Sequence, residues 1–311
     1  MTSAPAVGVV FVNYRSESLI APRVARLQDA GFKVAVIDNS GSASESLPVA
    51  ARPGNVGFGT ACNLGVAALD STVEVICLHN PDVDADPATI LELARTVHHQ
   101  AHPGAAAPAE RTGRVVRSRG YHYPKAWREA ILGLRPVGKA HDERVKRQAS
   151  LDLGQPAPHE PRTVVLRGTG DRFASAALLL VDRAAWEALG GFDERYFMYY
   201  EDLDLWHRLA RSGRDCVFRS ELTVNHHFSA GSPTNVAARE LFRWLGVELF
   251  CQKFEPGRWP AMRRVHRALM RVHSRRSPKL AGAIIERWDS GLDPAQTLDS
   301  LRPGLEAGTW A

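Results

Sequence analysis

The chain has 311 residues, 44% of them hydrophobic and 23% charged, which excludes a disordered or fibrous protein and suits one large domain or a domain with an appendage. A formal net charge of +5 makes it mildly basic, which permits phosphate or anionic-lipid partners without demanding them. No apolar run reaches the roughly 18 residues of a membrane span. No charged-then-apolar leader is visible, and Cys62, Cys77, Cys216 and Cys251 form no Cys-x-x-Cys, so a soluble cytoplasmic protein with reduced thiols is expected.

The first apolar run, Val7 to Val12, predicts a buried strand that ends in the polar Asn13. Leu19, Ile20, Val24 and Leu27 give Ser18 to Ala30 a helical period, closed by Gly31. Phe32 to Ile37 is a second strand running into Asp38, and Asn55 to Gly59 leads into a helix from Thr60 to Asp70. Val73 to Leu78 is a third strand, stopped at Asn80-Pro81 because proline has no amide proton for a ladder. Asp82 and Asp84 follow at once. Residues i and i+2 of an extended segment point the same way, so two hard oxygen donors on one side suit Mg²⁺ or Mn²⁺. The competing reading is a polar turn that caps the helix from Pro87 to His98.

Strand alternating with helix predicts an α/β fold: an open, mostly parallel, Rossmann-like sheet with helices on both faces. Ligands of such sheets bind beyond the carboxyl ends of the strands, where Asn13, Asp38 and Asp82 converge. Residues 101 to 163 are rich in Pro, Gly and basic side chains and read as a mobile, partly helical excursion anchored by Trp127 and Ile131, or as a solvated linker. Phe173 to Val181 is another strand, and Asp182 to Leu189 a short helix before Gly190-Gly191. An aromatic-rich loop then enters a helix at Glu201, where Glu201, Asp202 and Asp204 also suit the positive end of the helix dipole. A strand near Cys216 to Phe218 leads to His226-His227. From Val236 the pattern is helical, so a C-terminal helical extension (236–311) follows the main domain (1–235). Within it Arg258 to Lys279 forms a basic amphipathic helix, suited to an anionic bilayer or a polyanion, or to an ordinary surface.

Five stretches together carry a resemblance: Val-Ile-Asp-Asn-Ser (36 to 40), Asn-Val-Gly-Phe-Gly-Thr-Ala-Cys-Asn-Leu-Gly (55 to 65), Leu-His-Asn-Pro-Asp-Val (78 to 83), Gly-Gly-Phe-Asp-Glu-Arg-Tyr-Phe-Met-Tyr-Tyr-Glu-Asp-Leu-Asp-Leu (190 to 205) and Val-Asn-His-His-Phe-Ser-Ala-Gly-Ser (224 to 232). In this order they resemble the family 2 glycosyltransferases of the GT-A fold, in the rhamnosyltransferase-like branch, over roughly residues 7 to 235. The resemblance implies transfer of a hexose or deoxyhexose from a UDP- or dTDP-sugar to an acceptor hydroxyl of a glycan, a lipid-linked sugar or a natural product. It implies that Asp38 reads the base and that Asn13, Asn55, Gly57, Phe58, Asn63 and Asp82 line the nucleotide-sugar pocket. Asp82 and Asp84 would bring the metal (Mg or Mn) to the diphosphate, with His226 a further ligand and His227 its substitute. Glu201 and Asp202 would face the acceptor, Asp202 as base.

The chemistry is consistent with this. Charge builds on the leaving diphosphate, and a hydroxyl nucleophile needs a carboxylate within reach. One base opposite the leaving group gives displacement with inversion. Two departures stand out: His79 precedes Asn-Pro-Asp where a small or apolar residue is more usual, and the basic excursion at 110 to 150 has no counterpart. A non-catalytic nucleotide-sugar- or polyanion-binding protein is the alternative, motivated by the two basic stretches. A nucleotidyltransferase is disfavoured by the acid dyad and the lack of a Gly-rich phosphate loop. No nucleic-acid partner is expected, and peripheral contact with the inner face of an anionic membrane is allowed by the C-terminal basic helix.

Overall fold

A computed structural model describes residues 4–44, 47–112, 115–117, 121–122, 163–166, 172–227, 236–273 and 278–306. The chain divides into two compact units. The first comprises Met1–Tyr123, Pro158–Glu194 and Glu201–Ser232; the second comprises Pro124–Ala157, Arg195–Tyr200 and Pro233–Ala311. The aromatic loop before Glu201 therefore groups with the C-terminal helices.

The first unit is built on β1 (Val7–Asn13), a central strand whose seven residues are all buried because strands flank it on both edges and helices pack on its faces. Helix α1 (Glu17–Asp29) leads to β2 (Lys33–Asp38), which pairs parallel to β1 with Asn13 opposite Asp38. Next come β3 (Val49–Ala51), α2 (Phe58–Ala67), β4 (Val75–His79), β5 (Val83–Asp84) and α3 (Pro87–His98). The cap of α3 is Asp86, which accepts from Thr89 N at 2.9 Å with Pro87 in the first turn, so the capping role falls on neither Asp82 nor Asp84.

The chain is back in the sheet as early as β6 (Ala105–Thr112), a correction to the excursion expected from 101. Ala105, Ala106, Ala107 and Ala109 are essentially without solvent exposure. Four alanines and a proline carry no β-branched or aromatic signal, which is why the stretch reads as a loop. Short strands β7 (Val115–Arg117), β8 (Tyr121–His122), β9 (Thr163–Leu166) and β10 (Arg172–Phe173) follow. Trp127 and Ile131 lie outside the described residues.

Strand β11 (Leu178–Asp182) then runs antiparallel between β4 and β6, short helices α4 (Arg183–Leu189) and α5 (Glu201–Arg211) follow, and β12 (Cys216–His226) completes the sheet. Eight strands lie in the order β3-β2-β1-β4-β11-β6-β12-β5, with β7 on β6 and β9 on β12. The expected α/β architecture is present, with the parallel β3-β2-β1-β4 half joined to a mixed half. The core under it joins Val9, Phe11, Ile20, Leu27, Ile90, Leu93 and Leu180. Each such side chain contributes about 1.5–3 kcal/mol on burial.

The second unit contains α6 (Val236–Phe254), α7 (Trp259–His273), α8 (Pro278–Asp289) and α9 (Pro294–Glu306). Phe197, Phe242, Leu245, Ile284, Trp288, Leu298 and Leu301 form its core. Tyr199 and Tyr200 sit at φ +68° and +74°, and Gly246 lets the Tyr200 ring approach, since a Cβ there would lie 2.5 Å from it. No helix among the described residues is long and apolar enough to cross a membrane.

Candidate active site

At the carboxyl end of β1 and β2, Asp38 is fully buried and its oxygens are occupied by the chain itself. It accepts from Asn13 Nδ2 at 2.9 Å, Ser40 N at 3.1 Å, Ser40 Oγ at 2.8 Å and Ala43 N at 2.9 Å. Burial pushes this carboxyl upward, but the donors from Ala43, Ser40 and Asn13 win and hold it below its ordinary range. Asn13 in turn accepts from Ser16 N at 3.0 Å. These two residues fix the loops around the strand ends.

The neighbouring Asn-Val-Gly-Phe stretch enters α2 through Gly57, whose φ of +89° suits glycine. Asn39 Nδ2 donates to Gly57 O at 3.0 Å, while Asn55 and Phe58 are half-buried. The Asn63 side chain is spent within the fold: Nδ2 donates to Phe192 O at 3.0 Å and Glu194 Oε1 at 2.9 Å, and Oδ1 accepts from Phe192 N at 2.9 Å.

The loop after β4 departs from simple alternation. Val83 N donates to Asn80 O at 3.2 Å, so residues 80–83 turn, and Asp82 and Asp84 do not share a face. Asp84 is 45% exposed and pairs with Arg26 of α1 at 3.0 Å, whereas Asp82 is 16% exposed and faces His226. Pro108 explains how His226 gets there. Proline offers no ladder donor, and beside it the pairing of β12 to β6 jumps from Arg219 opposite Pro108 to Thr223 opposite Ala109. Past this bulge β12 pairs with β5, His226 opposite Val83, and His227 N donates to Asp82 O at 2.8 Å. Of the two histidines, His226 brings its ring to Asp82, Nε2 to Oδ1 at 3.4 Å, while His227 is exposed.

A residue that the sequence did not single out completes the cluster. Glu110 of β6 is buried and lies 3.0 Å from His226 Nδ1. Burial works against charge on this imidazole, but hydrogen bonds to Asp82 and Glu110 overcome it and carry its pKa up to about 9. A lone carboxylate in a basic, Pro- and Ala-rich stretch gave no local signal; an acid in a strand parallel to the histidine strand is visible only in the sheet register.

The acid dyad divides by environment. Glu201 is buried against the first turn of α2, where a Cβ on Gly59 would lie 3.5 Å from it. Burial first, then the charge of Asp202, drives its carboxyl well above the ordinary range, and Oε2 has no hydrogen-bond partner among the described residues. Asp202 is half-buried and accepts from Ala176 N at 3.1 Å and Leu203 N at 2.8 Å. Burial raises its pKa to about 6, opposed by those amides and reinforced by Glu110. A half-buried carboxylate with a pKa near neutrality can take a proton from a hydroxyl. Asp204 anchors the helix instead. Arg208 Nε meets it at 2.5 Å while that guanidinium donates to Leu189 O and Gly191 O at 2.9 and 2.7 Å.

His79 is a packing residue. It is buried, its ring centroid lies 4.6 Å from that of Phe11, its Nδ1 lies 2.9 Å from Asn80 O, and burial depresses its pKa to about 4.

No family model matches the chain. It is 29% identical over 224 residues, 67% of either chain, to N-acetylglucosaminyl-diphospho-decaprenol L-rhamnosyltransferase of Mycobacterium tuberculosis. It is 23% identical over 216 residues to a low-salt glycan biosynthesis hexosyltransferase of Haloferax volcanii, covering 66% of this chain and 62% of that one. A mannosyltransferase from Pyrobaculum calidifontis, solved with GDP-Man and Mn²⁺, superposes with a TM-score of 0.51 at 14% identity, over 98% of this chain and 81% of that one. The chain fits the rhamnosyltransferase-like family 2 glycosyltransferases of the GT-A fold. It is a glycosyltransferase. Among the described residues no three His, Cys, Asp or Glu side chains enclose a metal site by themselves. For this glycosyltransferase Asp82 and His226 lie side by side and would hold a divalent ion through one oxygen and one nitrogen, the ion taking the place of the Nε2 proton that otherwise bridges them. Such ions often take few protein ligands and complete their shell with substrate phosphate and water.

Proposed function

We propose that this glycosyltransferase moves a hexose or deoxyhexose, for example rhamnose, from a UDP- or dTDP-sugar to an acceptor hydroxyl by a single inverting displacement. The observation that carries the reading is the division of roles on one sheet edge: the Asp82–His226 pair at 3.4 Å, and a half-buried Asp202 whose pKa is raised to about 6. Asp202 takes the proton of the acceptor hydroxyl as its oxygen bonds to the anomeric carbon. The bond to the diphosphate breaks, and the electron pair leaves with it. Glu201 is buried next to Asp202, and burial together with the Asp202 charge favours its neutral form, so it is assigned no role as a second nucleophile. A divalent metal (Mg or Mn), held by Asp82 and His226, would supply positive charge to the leaving diphosphate. Asp38 and Asn13 keep the nucleotide-side loops in shape through the hydrogen bonds that occupy them, with Asn55, Gly57 and Phe58 nearest in sequence to the proposed donor pocket.

The acceptor class follows the Mycobacterium relative, whose name specifies a lipid-diphospho-sugar. We assign this chain a lipid-linked sugar as acceptor. Arg258, just before α7, and Arg264 and Val265 on the exposed side of α7 offer a contact to the anionic inner face of a membrane. Arg267 does not belong to that surface, since it pairs with the buried Glu248 at 3.3 Å.

Incubating the protein with UDP- and dTDP-sugars, Mn²⁺ and lipid-linked or soluble acceptors tests the reading. Nucleoside diphosphate release that is lost in Asp202→Asn is expected, with an inverted anomeric centre in the product. No release with any donor and acceptor would sink it. Flotation with vesicles that is indifferent to anionic lipid, and to joint replacement of Arg258 and Arg264, would remove the membrane part alone.

A further inference from the structure

We propose that Glu110 is a positioning residue of the transfer reaction, fixing the His226 ring so that Nε2 is presented to Asp82 and to the cation the two would share. The inference rests on the metal-dependent reading above. An imidazole has two chemically distinct nitrogens, and the partner of one decides what the other offers. Glu110 Oε2 lies 3.0 Å from His226 Nδ1, and both side chains are buried. A carboxylate accepts only, so Nδ1 carries a proton toward Glu110, and Nε2, 3.4 Å from Asp82, is the nitrogen on which a cation shared with Asp82 would replace the second ring proton.

The arrangement is built into the sheet. Glu110 is opposite Val224 in the parallel β6–β12 ladder, and His226 lies two residues farther on, on the same face. The residues just before Glu110 are buried alanines, which leave the strand little room to shift. Asp82 is fixed independently by the turn from Asn80 to Val83 and by the amide of His227. Three elements thus hold three side chains in line: carboxylate, imidazole, carboxylate. Only Asp82, at one end of that line, retains appreciable exposure.

The test is Mn²⁺ binding to the full-length protein in the presence of UDP or dTDP, read by calorimetry or by the paramagnetic signal of free Mn²⁺. Glu110→Ala is expected to weaken Mn²⁺ binding about 10–100-fold. Glu110→Gln, which keeps the shape and remains folded by thermal melt, should weaken it less. In a His226→Gln background the same Glu110 substitutions should cost nothing further, because Glu110 acts through the ring. Unchanged affinity in folded Glu110→Gln and Glu110→Ala, or an equal loss with and without His226, overturns the proposal while leaving the metal reading intact. Absence of Mn²⁺ uptake by the unaltered protein with either nucleotide overturns both.

Discussion

Two glutamate–histidine pairs in this chain share one geometry and differ in surroundings. In the sheet unit, Glu110 meets His226 Nδ1 at 3.0 Å, and the opposite ring nitrogen faces the part-exposed Asp82. In the helical unit, Glu248 meets His266 Nδ1 at 3.0 Å, but the ring lies against Trp244 and Trp259, with centroids at 4.4 and 5.5 Å. Arg267 closes the second carboxylate oxygen and itself lies 4.5 Å from the Trp288 ring. The same chemistry serves as a site where an acid with solvent access ends the chain of contacts, and as a lock where aromatic rings do. A buried ion pair by itself therefore says little about function.

The largest expected effect separates the two regions by activity. Asp202→Asn should lower kcat about 10²–10⁴-fold, the range of a general base, while donor binding is unchanged. Because burial raises the Asp202 pKa, the ionised form is a cost at neutral pH; the group stabilises the fold most below about pH 4, and this is lost as pH rises through about 6. Asp202→Asn should therefore raise Tm at pH 7.5 while it abolishes transfer, and a fall in both would point to a structural acid. Next in size, Glu248→Ala should cost about 3–5 kcal/mol, read from the urea midpoint, by leaving His266 and Arg267 without their buried partner. Transfer per folded molecule should stay unchanged.

A third effect concerns pH. The rate should rise roughly tenfold per pH unit below 6 and level off above it, since Asp202 must be ionised to accept a proton. The groups that face it are Glu201, Glu110 and the amides of Ala176 and Leu203. An acid limb left in place by Asp202→Asn would move the base role elsewhere. The smallest effect sharpens the contrast between the paired aspartates. Asp84→Asn should change stability by less than about 1 kcal/mol, as its pair with Arg26 is half-exposed, and should change Mn²⁺ affinity far less than Asp82→Asn. Equal losses would return Asp84 to the metal set.

Much of this was legible in local pattern. The strands ending at Asn13, Asp38 and His79 announce themselves by apolar runs and by the Asn80-Pro81 stop, because burial between layers demands such runs. Simple alternation misplaced Asp84, because it holds only for extended backbone and the chain turns there. Strand β6 was invisible because alanine fills tight space without leaving a propensity signal. The basic helix reads as one uniform face in sequence, yet Arg267 points into Glu248 and Arg264 remains exposed.

The sequence by itself determined the α/β order, the strand ends that carry Asn13, Asp38 and Asp82, and the acid dyad at the start of a helix. These depend on short-range spacing and on the residue types that chemistry requires. Tertiary structure alone decided that Glu201 is buried and Asp202 half-open, that His226 and not His227 turns to Asp82, and that Glu110 backs the ring. Each of those outcomes depends on the register between strands that lie far apart in the chain. Register is set by where Pro108 breaks the ladder and by which faces must be buried.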